Sequence, residues 1–482
     1  MHLAMQYMST KYSPILNGMI NGSKCILVRF LKSLLYKENN IPCINPTWTN
    51  QGTWFASFLP AQQLSYPFWW IYSLSLGTFF ILLPLTRYMH IPTELFLIFM
   101  RNSGIRTGDK AGSYSEVEIY SCSSCGICID NCQLNYVAGI TDIQSAYLMK
   151  AIRNNDDAYD MAHNCLMCGK CEQTCPVGIE LSAIRMIHRR EGDAERDMRN
   201  IWKGYYRSRQ INAAVRAPET PSYSYLPERK FRKADLIYFA GCMTHLTPGI
   251  KQAMIKILKT AGENFYFMDE NEGACCGRPL MLAGQDKEAR ELINFNSEII
   301  WKSGAQTLVT SCPICYKVFK ESYYLDVEVL HHSQYIRKLI ENGAVRLNYS
   351  HKKVVYHDPC ELGRGAGIFN EPREILAHVA ELQNTDYDSQ NSLCCGGSLA
   401  NLKLDSQKRT AIAAEALMRL TSGDPDVLAT ACPLCKKTFS KVTETRVADI
   451  AEIVADEISE VQKKKSRATV LNINELANIS LE

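Results

Sequence analysis

The sequence predicts an α+β multidomain protein: an N-terminal transmembrane or membrane-associated helix, a small helical domain, and two duplicated α/β cysteine-rich domains. Three observations lead to this prediction. A long uncharged segment lies near the N-terminus, two evenly stepped groups of four cysteines follow it, and a five-cysteine pattern then occurs twice. Short apolar strands alternate with helical stretches around the repeated cysteines, which is typical of α/β units built on a parallel sheet.

Composition narrows the possible classes of protein. The 53 basic and 50 acidic residues of this 482-residue chain leave a net charge of +3, so no nucleic-acid partner is expected. Of the 20 cysteines, only Cys25 and Cys43 stand outside the regular groups. Disulfides are typical of small secreted domains, whereas short cysteine spacings in a long chain favour metal or cluster ligation in a reducing cytoplasm.

The uncharged segment predicts the membrane helix. No Asp, Glu, Lys, Arg or His occurs in residues 39–86, and residues 67–86 are mostly apolar and long enough to span a bilayer. Trp69, near one end, fits an interfacial aromatic belt. A buried or interfacial helix is the alternative, which Pro84 favours. The sequence assigns no role to residues 1–66.

Basic residues follow the uncharged segment in a predicted juxtamembrane linker, residues 87–112. Basic residues concentrate on the cytoplasmic side of membrane proteins. We therefore expect the chain to lie at the cytoplasmic membrane, with its cysteine-rich domains facing the cytoplasm.

Two evenly stepped cysteine groups define the helical domain, residues 113–190. Their spacing, C-x2-C-x2-C-x3-C, is that of two-cluster bacterial ferredoxins, in which the fourth cysteine of each group binds the other cluster. This rule predicts two 4Fe–4S cubanes, one held by Cys122, Cys125, Cys128 and Cys175, the other by Cys132, Cys165, Cys168 and Cys171. Two structural zinc sites are the alternative, although zinc does not require the stepped triplet.

The connection between the two groups is predicted to be helical. Residues 139–164 carry an apolar stripe and lack Gly and Pro after Gly139, and Gln133 rather than Pro follows Cys132. The domain therefore resembles the helical ferredoxin domain of succinate dehydrogenase and heterodisulfide reductase subunits more than a small hairpin-rich ferredoxin. A helical extension and linker, residues 191–233, is expected to follow it.

Residues 234–350 and 351–460 each carry the five-cysteine pattern. Short apolar runs end at the first and fourth cysteine of each copy, and ligands of parallel sheets lie beyond the carboxyl ends of the strands. Helices are predicted at 249–261 and 288–302 in the first copy and at 372–382 and 408–420 in the second. The cysteines are Cys242, Cys275, Cys276, Cys312 and Cys315 in the first copy, and Cys360, Cys394, Cys395, Cys432 and Cys435 in the second.

A Cys, a Cys-Cys-Gly and a Cys-Pro-x-Cys, duplicated in this way, resemble the cysteine-rich CCG domains of heterodisulfide reductases. The order of domains is similar to the fused C and B subunits of the membrane-bound enzyme. The C-type subunit of anaerobic glycerol-3-phosphate dehydrogenase and the iron–sulfur subunits of glycolate oxidase are also similar. The resemblance implies that the ten repeat cysteines hold one or two non-cubane 4Fe–4S clusters, between which a disulfide is cleaved. Zinc or a single cubane in either copy is the alternative.

Other polar residues are weaker candidates. His357 and Asp358 could tune a cluster or deliver a proton, although a hydrogen-bonded strand end is the simpler interpretation. His331 and His332 are expected to cap a strand. The glycine-rich segment 363–367 lacks the features of a phosphate loop or a dinucleotide fingerprint, so no nucleotide is predicted there. Residues 461–482 are expected to be a solvated tail.

Three functions are compatible with these motifs. The leading hypothesis is an iron–sulfur oxidoreductase subunit that passes electrons through two cubanes to the repeats, where a disulfide substrate is reduced. Because the sequence contains no convincing flavin or NAD motif, the electrons would come from an electron-donating or membrane subunit, a cytochrome b or a flavoprotein dehydrogenase. The second hypothesis is a non-catalytic electron-transfer and anchor subunit that links such a dehydrogenase to quinone. The third is a zinc-thiolate structural protein.

Overall fold

A computed structural model describes residues 61–82, 90–108, 111–195, 232–270, 274–282, 285–397 and 404–459. Cys25, Cys43, most of the predicted linker 191–233 and the tail 461–482 lie outside these residues. The chain divides into two units, Met1–Leu82 and Leu83–Glu482.

The described part of the first unit is one helix, α1, Ala61–Leu82. It begins before the predicted membrane segment 67–86 and ends two residues ahead of Pro84. None of the helices in the described ranges combines the length and the apolar character that crossing a bilayer requires. In α1 the apolar run is interrupted by Ser73, Ser75 and Thr78. The predictions of a transmembrane helix and of a cytoplasmic-membrane location are therefore wrong.

The second unit starts with a helical domain, which we call the ferredoxin domain. Its core contains the buried side chains of Leu97, Leu148, Met149 and Ile184. Its helices are α2 His90–Asn102, α3 Ser113–Ser121, α4 Ile127–Asp130, α5 Gln133–Tyr136, α6 Ser145–Arg153, α7 Tyr159–His163, α8 Lys170–Gln173 and α9 Leu181–Glu195.

The helical connection predicted over residues 139–164 consists of two helices, α6 and α7. Between them Asn155 has a φ of 55°, in the left-handed region. It belongs to an Asn-Asn-Asp-Asp run, and such residues form turns because their short side chains bond the local backbone. The apolar stripe continues on both sides of this turn, so the stripe alone does not reveal the break.

Each cysteine-rich repeat is built on a four-stranded parallel sheet, as predicted. The strand orders, β2-β1-β3-β4 and β6-β5-β7-β8, are the same in the two repeats. The strands are β1 Leu236–Phe239, β2 Phe265–Phe267, β3 Thr307–Thr310, β4 Glu328–His331, β5 Lys353–His357, β6 Glu381–Gln383, β7 Val427–Thr430 and β8 Arg446–Asp449.

Helices cover both sheets and lie close to the predicted positions. In the first repeat they are α10 Cys242–His245, α11 Pro248–Ala261, α12 Arg278–Leu282, α13 Asp286–Ser303, α14 Pro313–Ser322 and α15 His332–Glu341. In the second they are α16 Gly363–Ala366, α17 Asn370–Val379, α18 Ser406–Leu420, α19 Pro433–Phe439 and α20 Ile450–Asp456, with a 3-10 turn at Ser389–Asn391.

The two repeats share a hydrophobic core. Helix α11 of the first packs on α20 of the second, and α15 packs on α17. Side chains of both repeats, among them Ile257, Ile336, Leu376 and Val454, form a single buried cluster. Since burying apolar surface is the main driving force of folding, the repeats stabilise each other.

Candidate metal centres

The first group of ferredoxin thiols lines one cavity, which we call site A: Cys122, Cys125, Cys128 and Cys175. The cavity has ≈ 400 Å³ of open space, including its mouth. Arg153 fixes the loop at its edge by donating to the carbonyl oxygen of Cys122 at 3.2 Å and to the Ser124 hydroxyl at 3.1 Å. Burial and the neighbouring thiols raise the pKa of Cys128 to about 11.

The other four ferredoxin thiols, Cys132, Cys165, Cys168 and Cys171, also come together, and we call them site B. Burial, and then the nearby Cys168 and Cys165, raise the pKa of Cys132 to about 12. The Ser145 hydroxyl lies 3.3 Å from the sulfur of Cys171.

The same backbone turn shapes both ferredoxin sites. In site A, Ser124 and Gly126 have φ values of 54° and 86°, and in site B, Met167 and Gly169 have φ values of 54° and 70°. Positive φ is unfavourable outside glycine, so Ser124 and Met167 mark an imposed loop shape in their turns. Each turn wraps the chain around its central cysteine, Cys125 or Cys168, and each is followed by a short helix.

The thiols of the first repeat form site C: Cys242, Cys275, Cys276, Cys312 and Cys315. Asp269 fixes the loop that carries Cys242, because its carboxylate accepts from the backbone N–H groups of Ala240 at 2.9 Å and Gly241 at 2.8 Å. The thiols of Cys275 and Cys315 hydrogen-bond to Cys276 and lower its pKa well below the usual value, against the opposing effect of burial.

The vicinal pair of site C is held by its own repeat. The side-chain amide of Asn296, on α13, donates to the carbonyl oxygen of Cys275 at 3.0 Å and to the Tyr323 hydroxyl at 2.9 Å. That hydroxyl, at the end of α14, donates in turn to the carbonyl oxygen of Cys276 at 3.1 Å. The Cys275–Cys276 backbone is thus positioned by hydrogen bonds from two elements of one domain.

The thiols of the second repeat, site D, line a single cavity with ≈ 510 Å³ of open space, including its mouth: Cys360, Cys394, Cys395, Cys432 and Cys435. Arg278, Leu282 and Ile314 of the first repeat and Leu166 of the ferredoxin domain complete its wall. Hydrogen bonds from Cys394 and Cys435 lower the pKa of Cys395 well below its usual value. Sites C and D adjoin, since Arg278 follows the Cys276-Gly277 pair of site C directly.

Site D also touches the ferredoxin domain. The thiols of Cys168 and Cys394 are hydrogen-bonded to each other, and this bond, more than the opposing burial, lowers the pKa of Cys168 to about 6. The side chain of Gln133 accepts from the backbone N–H of Cys394 at 2.6 Å and donates to its carbonyl oxygen at 3.2 Å. We call this contact the B–D interface.

The polar candidates outside the cysteines have structural partners. His357 is buried, and its Nε2 lies 3.0 Å from the carbonyl oxygen of Leu393. Asp358 accepts two hydrogen bonds from Arg373, at 2.7 and 2.6 Å, and one from the Ser389 N–H at 2.8 Å. These contacts favour the interpretation of a hydrogen-bonded strand end.

His331 and His332 lie fully buried where the two repeats meet. His331 ends β4 and, rather than capping that strand, caps the start of α15 by accepting from the Ser333 N–H. His332 reaches across to the second repeat, with Nε2 3.0 Å from Oδ1 of Asp449. The described residues contain no group of three His, Cys, Asp or Glu side chains that could share a single metal ion. The thiol sites A to D are considered as sites for clusters of several irons and not for one ion.

Several residues of these sites were not predicted from the sequence. Asp269 follows the carboxyl end of β2, where ligand sites of parallel sheets lie, so its position in the sequence could have predicted a role at site C. Gln133 and Asn296 gave no such signal, because each acts on a cysteine backbone that is distant in sequence; Gln133 and Cys394 are 261 residues apart.

Comparison with known proteins agrees with this arrangement. The 4Fe-4S dicluster domain family matches residues 118–179, and the cysteine-rich domain family named CCG matches residues 236–320 and 354–440. The D-type subunit of the dihydromethanophenazine:CoB–CoM heterodisulfide reductase of Methanosarcina barkeri is 29% identical, over 62% of this chain and 78% of that protein.

Two further relatives have different activities. The B-type subunit of the fumarate reductase (CoM/CoB) of Methanothermobacter marburgensis is 25% identical, over 66% of this chain and 67% of its own length. The EtfAB:quinone oxidoreductase of Syntrophomonas wolfei is 21% identical, over 84% of this chain and 70% of its own length. Among solved structures, a glutamate racemase of Bacillus anthracis matches 49% of this chain and 84% of its own, with 16% identity and a TM-score of 0.24, too low to support any inference.

The matched domains are those of iron–sulfur electron transfer, and the relatives are oxidoreductases or their subunits. The chain is an iron–sulfur protein of the oxidoreductase type. The cysteine motifs predict a resemblance to the heterodisulfide reductase family, and the similarity to its D-type subunits confirms that prediction.

Proposed function

We propose that this protein carries electrons from site A through site B to the repeats, where sites D and C reduce a disulfide substrate. The observation that carries the proposal is the pair of hydrogen bonds, at 2.6 and 3.2 Å, by which Gln133, next to Cys132 of site B, holds the backbone of Cys394 of site D. It joins the ferredoxin domain to a thiol-lined cavity that borders the first repeat.

The residues fit iron–sulfur groups. Four thiols line the cavity of site A and five line that of site D, and thiolates are the ligands of such clusters. Sites A and B would hold two 4Fe–4S cubanes, and sites C and D one or two non-cubane clusters. When bound, these groups supply one-electron transfer and, in the repeats, iron that can accept a thiolate sulfur.

The protein's own residues position these ligands and lower the cost of the thiolate charge. Asp269, Asn296 and Gln133 fix the cysteine-bearing loops of sites C and D by bonding their backbone. Arg278, on the wall between the two sites, adds a positive charge there.

The reaction balances with two electrons. A disulfide RSSR′ takes up two electrons and two protons and yields RSH and R′SH. The electrons arrive one at a time, which explains the use of a pair of repeat sites. We expect them to come from an electron-donating or membrane subunit, a cytochrome b or a flavoprotein dehydrogenase, because the sequence carries no convincing flavin motif of its own.

A second function is supported by the EtfAB:quinone oxidoreductase, whose similarity extends over 84% of this chain. In that case the protein would relay electrons from a flavoprotein towards quinone, and the repeats would bind no substrate. Sites A to D would keep their ligands, so only the fate of the electron separates the two functions.

Metal analysis and anaerobic electron paramagnetic resonance (EPR) test these proposals. Two cubanes and two non-cubane clusters predict about 16 iron atoms per chain, one non-cubane cluster in place of two predicts about 12, and neither case includes stoichiometric zinc. If the oxidised protein, titrated with small thiols, develops a new paramagnetic signal that Cys276→Ser or Cys395→Ser removes, the substrate function is supported. A full iron content without such a signal for any thiol favours the relay. About eight irons with two zincs would contradict cluster binding in the repeats.

A further inference from the structure

The glycine-rich segment 363–367, for which no nucleotide role was predicted, lies at the B–D interface. Its only long side chain, Arg364, reaches from the second repeat to the ferredoxin domain. The Nε of Arg364 donates to the carbonyl oxygen of Cys168 at 2.8 Å. Its Nη1 donates to the carbonyl oxygen of Ser392 at 2.8 Å, to the Ser392 hydroxyl at 2.7 Å and to the carbonyl oxygen of Gln390 at 3.2 Å.

Arg364 thus joins the chain on both sides of the contact between Cys168 and Cys394. Ser392 lies two residues before Cys394, and Cys168 is the central thiol of site B. The 2.8 Å bond from Nε to the carbonyl oxygen of Cys168 also places the charge of Arg364 beside site B. A guanidinium is suited to this position because its donors form a rigid fork and it remains charged.

The glycines fix the backbone that presents Arg364. A Cβ at Gly363 would lie 2.6 Å from the Phe369 ring, so a side chain there would force the ring to move. Gly367 has a φ of 73°, which residues with a side chain rarely adopt. On the other side, a Cβ at Gly169 would meet Cβ of Arg364 at 3.7 Å, a normal contact distance.

One donor of Arg364 remains. Its Nη2 is buried and has no hydrogen-bond partner within the residues that the structure describes. Leaving a charged donor unpaired in a buried position is costly. If clusters are bound at sites B and D, their sulfur atoms would be acceptors for this Nη2 group.

We propose that Arg364 is the positioning residue of the B–D interface: it holds Cys168 against Cys394 and places a positive charge between the two sites. This inference rests on the proposed function, since it requires both sites to carry clusters. In the step concerned, one electron leaves reduced site B and enters oxidised site D. No bond forms or breaks, and the reductant is the electron-donating subunit or, in the test, dithionite.

The test compares the full-length protein with Arg364→Gln, Arg364→Lys and Gln173→Ala. Gln173 is a matched control because it also crosses the interface, donating to Gln390 at 3.0 Å, but is exposed and neutral. Iron content, the EPR midpoint potentials of the sites, and the rate at which site D is reduced after mixing with dithionite are measured, the last by rapid freezing.

We expect Arg364→Gln to keep the iron of sites A and C, to lower the potential of site B, and to slow the reduction of site D by roughly tenfold or more. A tenfold slower transfer corresponds to a barrier about 1.4 kcal/mol higher, to which the lost charge and the loosened contact both contribute. Arg364→Lys keeps the charge without the fork, so its potential should stay near that of the wild type while the rate still falls. Gln173→Ala should resemble the wild type in both.

Two outcomes would overturn the inference. If Arg364→Lys and Arg364→Gln both reduce site D at the wild-type rate, Arg364 does not position the contact. If Gln173→Ala is as slow as Arg364→Gln, any disturbance of the interface has the same effect. If Arg364→Gln loses iron, its rate cannot be interpreted, and the rate at which site D is reduced in Arg364→Lys replaces it as the test. A wild-type protein whose site D holds no reducible cluster would instead refute the proposed function, and the inference with it.

Discussion

The two cysteine-rich repeats have the same fold but complete their vicinal cysteine pairs in different ways. In the first repeat, the carbonyl oxygen of Cys275 accepts from Asn296, a residue of the same repeat. In the second, the corresponding carbonyl oxygen of Cys394 accepts from Gln133, a residue of the ferredoxin domain. Both donors are side-chain amides at about 3 Å.

This difference indicates how a duplicated domain becomes specialised. The strand order and the cysteine spacing are retained, because they determine the sheet and the thiol set. The polar residue that holds the cysteine backbone comes from another element in each case. The cysteine pair of the first repeat is held by that repeat alone, whereas the pair of the second is held by the ferredoxin domain, and we therefore place the point where electrons reach the repeats at site D.

The largest expected effect distinguishes the equivalent cysteines Cys394 and Cys275. If electrons reach site C only through site D, Cys394→Ser should abolish the reduction of both repeat sites, since serine supplies no soft thiolate ligand. Cys275→Ser should abolish that of site C alone. Rapid-freeze EPR after mixing with dithionite measures both. Normal reduction of site C in Cys394→Ser would show that the two repeats receive electrons independently.

Loss of Asp269 should destabilise the first repeat. In Asp269→Ala the buried N–H groups of Ala240 and Gly241 lose their acceptor, and each unsatisfied group costs about 1–3 kcal/mol. We expect unfolding in urea at a clearly lower concentration. Asp326→Ala, at an exposed position ahead of β4, is the control and should change stability by less than about 0.5 kcal/mol. Equal effects would mean that the Asp269 contacts contribute nothing specific.

The two amide donors provide a more direct test of the comparison. Asn296→Ala should reduce the stability of the first repeat by about 1–3 kcal/mol. Gln133→Ala should instead loosen the B–D interface, seen as faster hydrogen exchange around Cys394 with little change around Cys275. If both variants accelerate hydrogen exchange at the same vicinal cysteine pair, Asn296 and Gln133 do not each hold the pair of a different repeat.

The smallest expected effect is a pH dependence that belongs to His331 of the first repeat. Burial, and then the nearby His332, hold the pKa of His331 well below its usual value of 6.5. The unfolded chain takes up a proton there near pH 6.5, whereas the folded chain does so only at lower pH. The stability contributed by neutral His331 is therefore fully present above pH 6.5 and is lost as the pH falls below it.

Urea unfolding of the wild type and His331→Gln at pH 7.5 and 5.5 measures this contribution. The wild type should lose up to about 1.4 kcal/mol more than the variant over the unit of pH below 6.5. An equal loss in both proteins would assign the acid sensitivity to other groups.

The sequence predicts the local parts of this protein and misses the contacts between its domains. The thiol groups, the parallel strands and the helices of the repeats follow from short spacings and apolar runs, for example Val427–Thr430 ahead of Cys432. The bond from Gln133 to Cys394 and that from Arg364 to Cys168 could not be predicted, because no local pattern reports a partner about 200 or more residues away. The predicted membrane helix is wrong for a local reason: the absence of charge in this segment suggests a membrane helix, but Ser73, Ser75 and Thr78 interrupt its apolar run.

The shared core of the two repeats has a consequence for any shorter protein of this design. Helices α11 and α15 pack on α20 and α17, so that each repeat covers apolar surface of the other. A chain with one repeat would expose that surface to water. It would have to pair with a second copy about a twofold axis, as self-complementary surfaces do. The covalent duplication makes the same pairing independent of protein concentration and allows the two halves to differ, so that one of them can adapt to the ferredoxin domain alone.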